Sequence, residues 1–95
     1  MNIKMKEYDI AEHLTSEEEI QLYLNEILEE GDTALILAAL GDIARARNMT
    51  QLAKEVGMSR EGLYKALSGE GNPAFTTILK IVHSLGLKLQ FKSVR

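Results

Sequence analysis

Residues 49–69 read Met49-Thr-Gln-Leu-Ala-Lys-Glu-Val-Gly-Met-Ser-Arg-Glu-Gly-Leu-Tyr-Lys-Ala-Leu-Ser-Gly69. Leu52, Ala53 and Val56 form one apolar helical face, and Ala53 is small enough for another helix to cross closely. Gly57 accepts the positive φ that ends a helix within one residue. Met58 plugs the turn and Ser59 is placed to N-cap the next helix. Leu63, Ala66 and Leu67 then return at i, i+3 and i+4 as the inner face of that second short helix. Arg60, Glu61, Tyr64, Lys65 and Ser68 are left on its outer face. Two short helices around a tight turn, the second with a polar outer face, form a helix-turn-helix arrangement whose second helix suits a major groove.

Upstream, Thr15-Ser-Glu-Glu18 puts a hydroxyl N-cap three residues before Glu18, and Glu17 to Glu19 favour the positive helix end. Ile20, Tyr23, Leu24, Ile27 and Leu28 repeat with helical spacing until Gly31. Asp32 caps a second helix from about Thr33 to Arg47, apolar enough from Leu35 to Ala44 to be buried on more than one side. Downstream, Gly69, Gly71 and Gly86 divide short segments of helical period. The period then changes to two: Leu87, Leu89 and Phe91 alternate with Lys88, Gln90 and Lys92, the pattern of a half-buried strand. Such a strand needs a partner, from the amino-terminal tail or from a second subunit. No internal repeat or linker interrupts the chain.

At 95 residues the chain is one small domain, with 45% hydrophobic and 26% charged residues. No apolar run approaches the roughly 20 residues of a membrane-spanning helix. The amino terminus lacks an apolar signal region, so a cytoplasmic location with no membrane partner is expected. The absence of cysteine excludes disulfides, thiolate zinc sites and thiol nucleophiles. The formal net charge of −3 hides a division. Residues 1–32 carry a net −8 and residues 33–95 a net +5. An acidic segment followed by a basic one points to two different partners.

Leu52-Ala53, Gly57, Ser59, Leu63, Asn72-Pro73, Leu79-Lys80-Ile81 and Leu85-Gly86 resemble the Cro/cI (Xre) helix-turn-helix domain. Tyr23-Leu24, Gly31-Asp32, the run from Ala39 to Arg47, Met49 to Ala53, Ser59-Arg60-Glu61, Leu63-Tyr64 and Ser68 to Pro73 extend the match. Together they resemble the probable addiction-module antidote family, the HigA-type antitoxin halves of HigBA/RelE-type toxin–antitoxin pairs. The resemblance covers the chain from Tyr8 to Gly86.

It implies an all-α, five-helix lambda-repressor-like DNA-binding domain with an N-terminal extension helix and a short C-terminal β-strand. As a single domain over 1–95, the chain divides into an acidic extension and first helix (1–32), the Xre-like core (33–86) and the strand (87–95). The implied activity is that of a homodimeric antitoxin that neutralises a basic RelE/HigB-like ribonuclease toxin and represses its own palindromic operator. The recognition helix would run from Ser59 to about Leu67. Arg60 would read guanine through O6 and N7, Glu61 would accept from cytosine N4, and Lys65 lies one turn further on. Tyr64 and Ser68 suit phosphate or sugar, and Thr50 and Gln51 meet the backbone at the preceding helix start. The segment Gly69 to Phe75 has no lysine or arginine, leaving Asn72, Thr76, Thr77 and backbone N–H groups to face phosphates. Few phosphates are then neutralised per subunit, and affinity depends on pairing two half-sites. Gly62, poor for a helix, suggests a close approach to DNA or to a neighbouring helix.

Each assignment has a plainer counterpart. Glu61 also suits a first-turn acid that favours the helix dipole, and Tyr64 also suits packing at the domain edge. Glu17, Glu18, Glu19 and Glu26 fit either a surface for a basic toxin or a solvated face. Leu87, Leu89 and Phe91 either pair within the chain or add a strand across a two-fold axis. His13 and His83 lie far apart without supporting carboxylates, so no metal is expected. No nucleophile with a base, paired-carboxylate pattern or phosphate loop appears, so the chain is expected to be neither an enzyme nor a cofactor carrier. A stand-alone repressor and a helical interaction module without DNA binding are the rival readings.

Overall fold

A computed structural model describes residues 16–95; residues 1–15, which hold Glu7, Asp9, Glu12, His13 and Thr15, lie outside the described part. The described chain is all-helical: α1 (Glu17–Glu30), α2 (Thr33–Ala46), α3 (Met49–Val56), α4 (Arg60–Ala66) and α5 (Phe75–Ser84). Among the described residues the acidic Glu17–Glu30 helix is one of five. None of these helices is long and apolar enough to cross a membrane.

Four of the five described helices start at side-chain oxygens that take up otherwise unbonded N–H groups; the last, after Ala74, has no side-chain cap. Ser16 and Glu19 close a reciprocal capping box, Glu19 N donating to Ser16 Oγ at 3.1 Å and Ser16 N to Glu19 Oε1 at 3.3 Å. This corrects the expected cap by one residue. Thr15-Ser16-Glu17-Glu18-Glu19 contains two overlapping boxes, and composition alone does not choose between them. Asp32 accepts from Ala34 N at 2.9 Å, Asn48 from Gln51 N at 3.0 Å, and Ser59 from Gly62 N at 2.9 Å. Gly57, at φ 74°, ends α3 in the left-handed region that glycine adopts without strain. Gly69 is at φ 86°, and a Cβ there would stand 3.0 Å from the Ala34 carbonyl. The turn after α4 therefore lies directly against the first turn of α2.

One core joins all five helices: Ile20 from α1, Leu40, Ile43 and Ala44 from α2, Met49, Leu52, Ala53 and Val56 from α3, Leu63 from α4, and Ile81 and Val82 from α5. Leu67 and Leu85, just past the ends of α4 and α5, complete it. Helix α1 packs on α2, and α3 packs on α2, α4 and α5. Among the described residues no polar or charged residue is buried, so the polar groups that carry function stand on the surface.

The expected strand over 87–95 is not present. Leu87 N donates to the Val82 carbonyl at 3.0 Å, and Leu87 packs against the core. From there to Arg95 the chain forms no regular element. A strand exists only against another strand's free backbone groups. The regular elements of the described chain are all helices, whose groups are already bonded internally, and they offer no edge.

Candidate nucleic-acid interface

The turn Gly57–Ser59 sets α4 beyond the end of α3, and Leu63, fully buried, fixes its rotation. Helical spacing from Leu63 then dictates which side chains face out. Arg60, Glu61, Tyr64, Lys65 and Ser68 are all exposed, as expected from the 49–69 pattern. The Arg60 guanidinium carbon lies 5.7 Å from the centre of the Tyr64 ring, one turn away. That separation is a cation–π contact worth about 0.5–1 kcal/mol at an exposed site, and it holds the arginine along the helix surface. The 3.5 Å from Arg60 Nη2 to Tyr64 Oη adds little.

Not all the selected residues converge. Thr50, Arg60 and Tyr64 line one shallow opening. Lys65 and Ser68 line an adjoining one with Tyr64. Asn72 lies on the far side of Lys65, beside Gly62 and Pro73. Thr76 is exposed at the start of α5. Several polar groups also have local tasks. Ser59 Oγ caps α4, Gln51 Nε2 donates to Glu55 Oε2 at 3.3 Å, and Ser68 Oγ donates to the Lys65 carbonyl at 3.0 Å. Ser68 Oγ also accepts from Glu70 N at 3.1 Å. Gly62 has a local explanation: a Cβ there would sit 3.1 Å from Ser59 Oγ, so the close approach is to its own cap, within the described chain.

Arg45 and Arg47 were not singled out by the sequence pattern, yet they line the same opening as Thr50, Arg60 and Tyr64. The available signal was a pair of arginines immediately before the Asn48 cap. Because only two residues separate the end of α2 from Met49 at the start of α3, both arginines stand at the amino-terminal end of α3. Arg45 is tied inward: its Nη2 donates to Asp42 Oδ1 at 2.6 Å. The other oxygen, Asp42 Oδ2, accepts from Tyr23 Oη at 2.6 Å. Burial, reinforced by the Asp42 carboxylate, raises the Tyr23 phenol above its ordinary value near 10. At neutral pH Tyr23 is therefore a neutral donor. Arg47 has no ion-pair partner among the described residues.

The acids of α1 separate by helical angle. Glu18, Glu19 and Glu26 share the outer face with Leu22, which is 66% exposed, whereas Glu17 lies on the flank with Gln21 and Leu28. Of the residues considered for dimerisation, Leu87 is half-buried, while Leu89 and Phe91 are 43% and 89% exposed.

The chain is 63% identical over its whole length to an uncharacterized protein of Haemophilus influenzae, covering 98% of that protein. No solved structure is a significant match. Residues 4–93 match a family described as "Probable addiction module antidote protein". With nearly the full chain matched, this protein belongs to the addiction-module antidote family.

Proposed function

We propose that the protein is the antitoxin of a type II toxin–antitoxin module, which binds and neutralises a RelE/HigB-like ribonuclease toxin and represses its own operon as a dimer. An antidote implies a toxin of some kind, and the family match over residues 4–93 is the observation that carries this reading. Operator binding is supported by the exposed outer face of α4 and by Arg45, Arg47 and Thr50 beside it. In this reading α3 and α4 are a helix-turn-helix: Arg60 addresses guanine, Glu61 and Lys65 neighbouring bases, and Thr50 and Tyr64 the backbone. Arg47 and Arg45 supply the phosphate contacts that the segment 69–75 lacks. The outer face of α1, with Glu18, Glu26 and Leu22, suits a basic partner. Leu89 and Phe91 suit contact with a second copy.

Co-expression with the adjacent reading frame tests this directly. The proposal expects that frame to encode a small basic protein that co-purifies with this chain and arrests growth when expressed alone. A neighbour that neither binds nor is toxic would overturn it. The segment 69–75 carries no basic side chain, which favours a second reading as an interaction module without DNA binding. A gel shift on the protein's own promoter DNA, with Arg60→Ala as control, separates the two.

A further inference from the structure

A polar chain crosses from α1 to the rim of the α4 face. Tyr23 Oη and Arg45 Nη2 each donate to one oxygen of the Asp42 carboxylate, both at 2.6 Å. Asp42 is largely enclosed, its side chain 17% exposed, whereas that of Arg45 is 43% exposed. The inner end of the chain is thus shielded and its outer end is wet. A guanidinium carries five N–H donors, and among the described residues one of those on Arg45 is engaged. Arg45 lines the opening shared with Arg47, Thr50, Arg60 and Tyr64, and also the adjoining one with Lys65 and Ser68.

We propose that Tyr23 and Asp42 are positioning residues for DNA binding, holding the Arg45 guanidinium where its outward N–H groups meet a backbone phosphate. The inference rests on the operator-binding reading above. Its physical basis is preorganisation. An arginine fixed before the encounter has less rotamer freedom to lose on binding, so its phosphate contact contributes more to affinity. Asp42 alone holds Arg45 through one oxygen and remains able to rotate. The Tyr23 hydroxyl on the second oxygen removes that rotation. Because Tyr23 belongs to α1, a helix without a residue at the opening, its influence on DNA passes through Arg45.

The test is a fluorescence-anisotropy titration of a labelled duplex of the protein's own promoter DNA with the full chain and four variants: Tyr23→Phe, Arg45→Gln, the two combined, and Arg60→Ala. Tyr23→Phe keeps the ring and the net charge, so a change in affinity is not a change in the electric field. It is expected to weaken binding roughly three- to tenfold, the lower range of couplings between contacting side chains. Arg45→Gln should lower the slope of log affinity against log salt by about 1. In the Arg45→Gln background Tyr23→Phe should have no further effect. Persistence of its full effect there would mean that Tyr23 only fastens α1 to α2, and would overturn the proposal.

Asp42→Asn gives an independent sign. Removing a negative charge near DNA tightens binding through the field alone, whereas loss of positioning weakens it. Weaker binding supports the proposal, and tighter binding contradicts it. A parent chain without any salt-sensitive binding sinks both the operator reading and this one. A parent that binds, weakens with Arg60→Ala and is indifferent to Tyr23→Phe overturns the positioning alone.

Discussion

The outer faces of α1 and α4 are built alike and charged differently. Each helix starts at a serine cap and turns exposed polar side chains away from a shared core. Helix α1 spans 14 residues and is acidic; α4 spans seven and presents Arg60, Tyr64 and Lys65. A helix as short as α4 is not stable alone, so its outer face is as ordered as the core that holds Leu63. Conversely, α1 carries its acids without cancelling the basic half: Glu17, Glu18, Glu26, Glu29 and Glu30 form no ion pair among the described residues. The contrast is between a face whose geometry is imposed by packing and a face whose main property is its field. Recognition of base edges needs the first, and attraction of a basic partner needs only the second.

The largest expected effect tests whether the two faces share one folding unit. Ile20 is the α1 residue in the common core, 2% exposed. Ile20→Ala should cost about 2–5 kcal/mol and lower the whole urea transition as one step. If only a minor early phase moved, α1 would be an independent arm. Next comes Arg60→Ala, which should weaken promoter binding by the equivalent of about 1–3 kcal/mol. Its unfolding midpoint should hardly move, because Arg60 lies outside the core. A drop in stability without a drop in affinity would make Arg60 structural. Ser59→Ala removes the cap that starts α4 and should cost about 1 kcal/mol in chemical denaturation.

The smallest stability change belongs to the acidic face. Glu17, Glu18 and Glu26 all changed to glutamine should cost only about 0.6 kcal/mol, from the two exposed acids in the first turn of α1. Glu19 is left intact because it closes the Ser16 capping box. The same variant should bind the toxin more weakly and with less dependence on salt, as measured by calorimetry at two salt concentrations. Unchanged affinity and salt dependence would return these acids to the role of a solvated face.

Much of this fold was legible because its signals are local. Gly31 and Asp32 separate two helices, Gly57 and Ser59 separate two more, and Leu52, Val56, Leu63 and Leu67 mark inner faces within a turn or two of one another. What could not be read depended on partners distant in sequence or competing at one position. The Ser16 cap competed with Thr15 one residue away. The alternation at 87–92 is a strand pattern, but a strand also needs an edge, and pattern carries no information about edges. The Tyr23–Asp42–Arg45 chain joins residues 19 apart that have no periodic relation. Gly62 showed that something stands close without showing that it was its own cap. For the site, the outer residues of α4 were legible from spacing. Arg45 and Arg47 were hidden because they end a helix that otherwise belongs to the core.

On the operator-binding proposal, one small chain with a net charge of −3 binds DNA through a locally basic face. Its most direct test is the affinity of the full chain for its own promoter duplex across a series of salt concentrations, beside an unrelated duplex of equal length. The expected result is tighter binding to the promoter, a straight decline of log affinity with log salt, and a clear loss with Arg60→Ala. Equal, salt-insensitive or absent binding to both duplexes would contradict it.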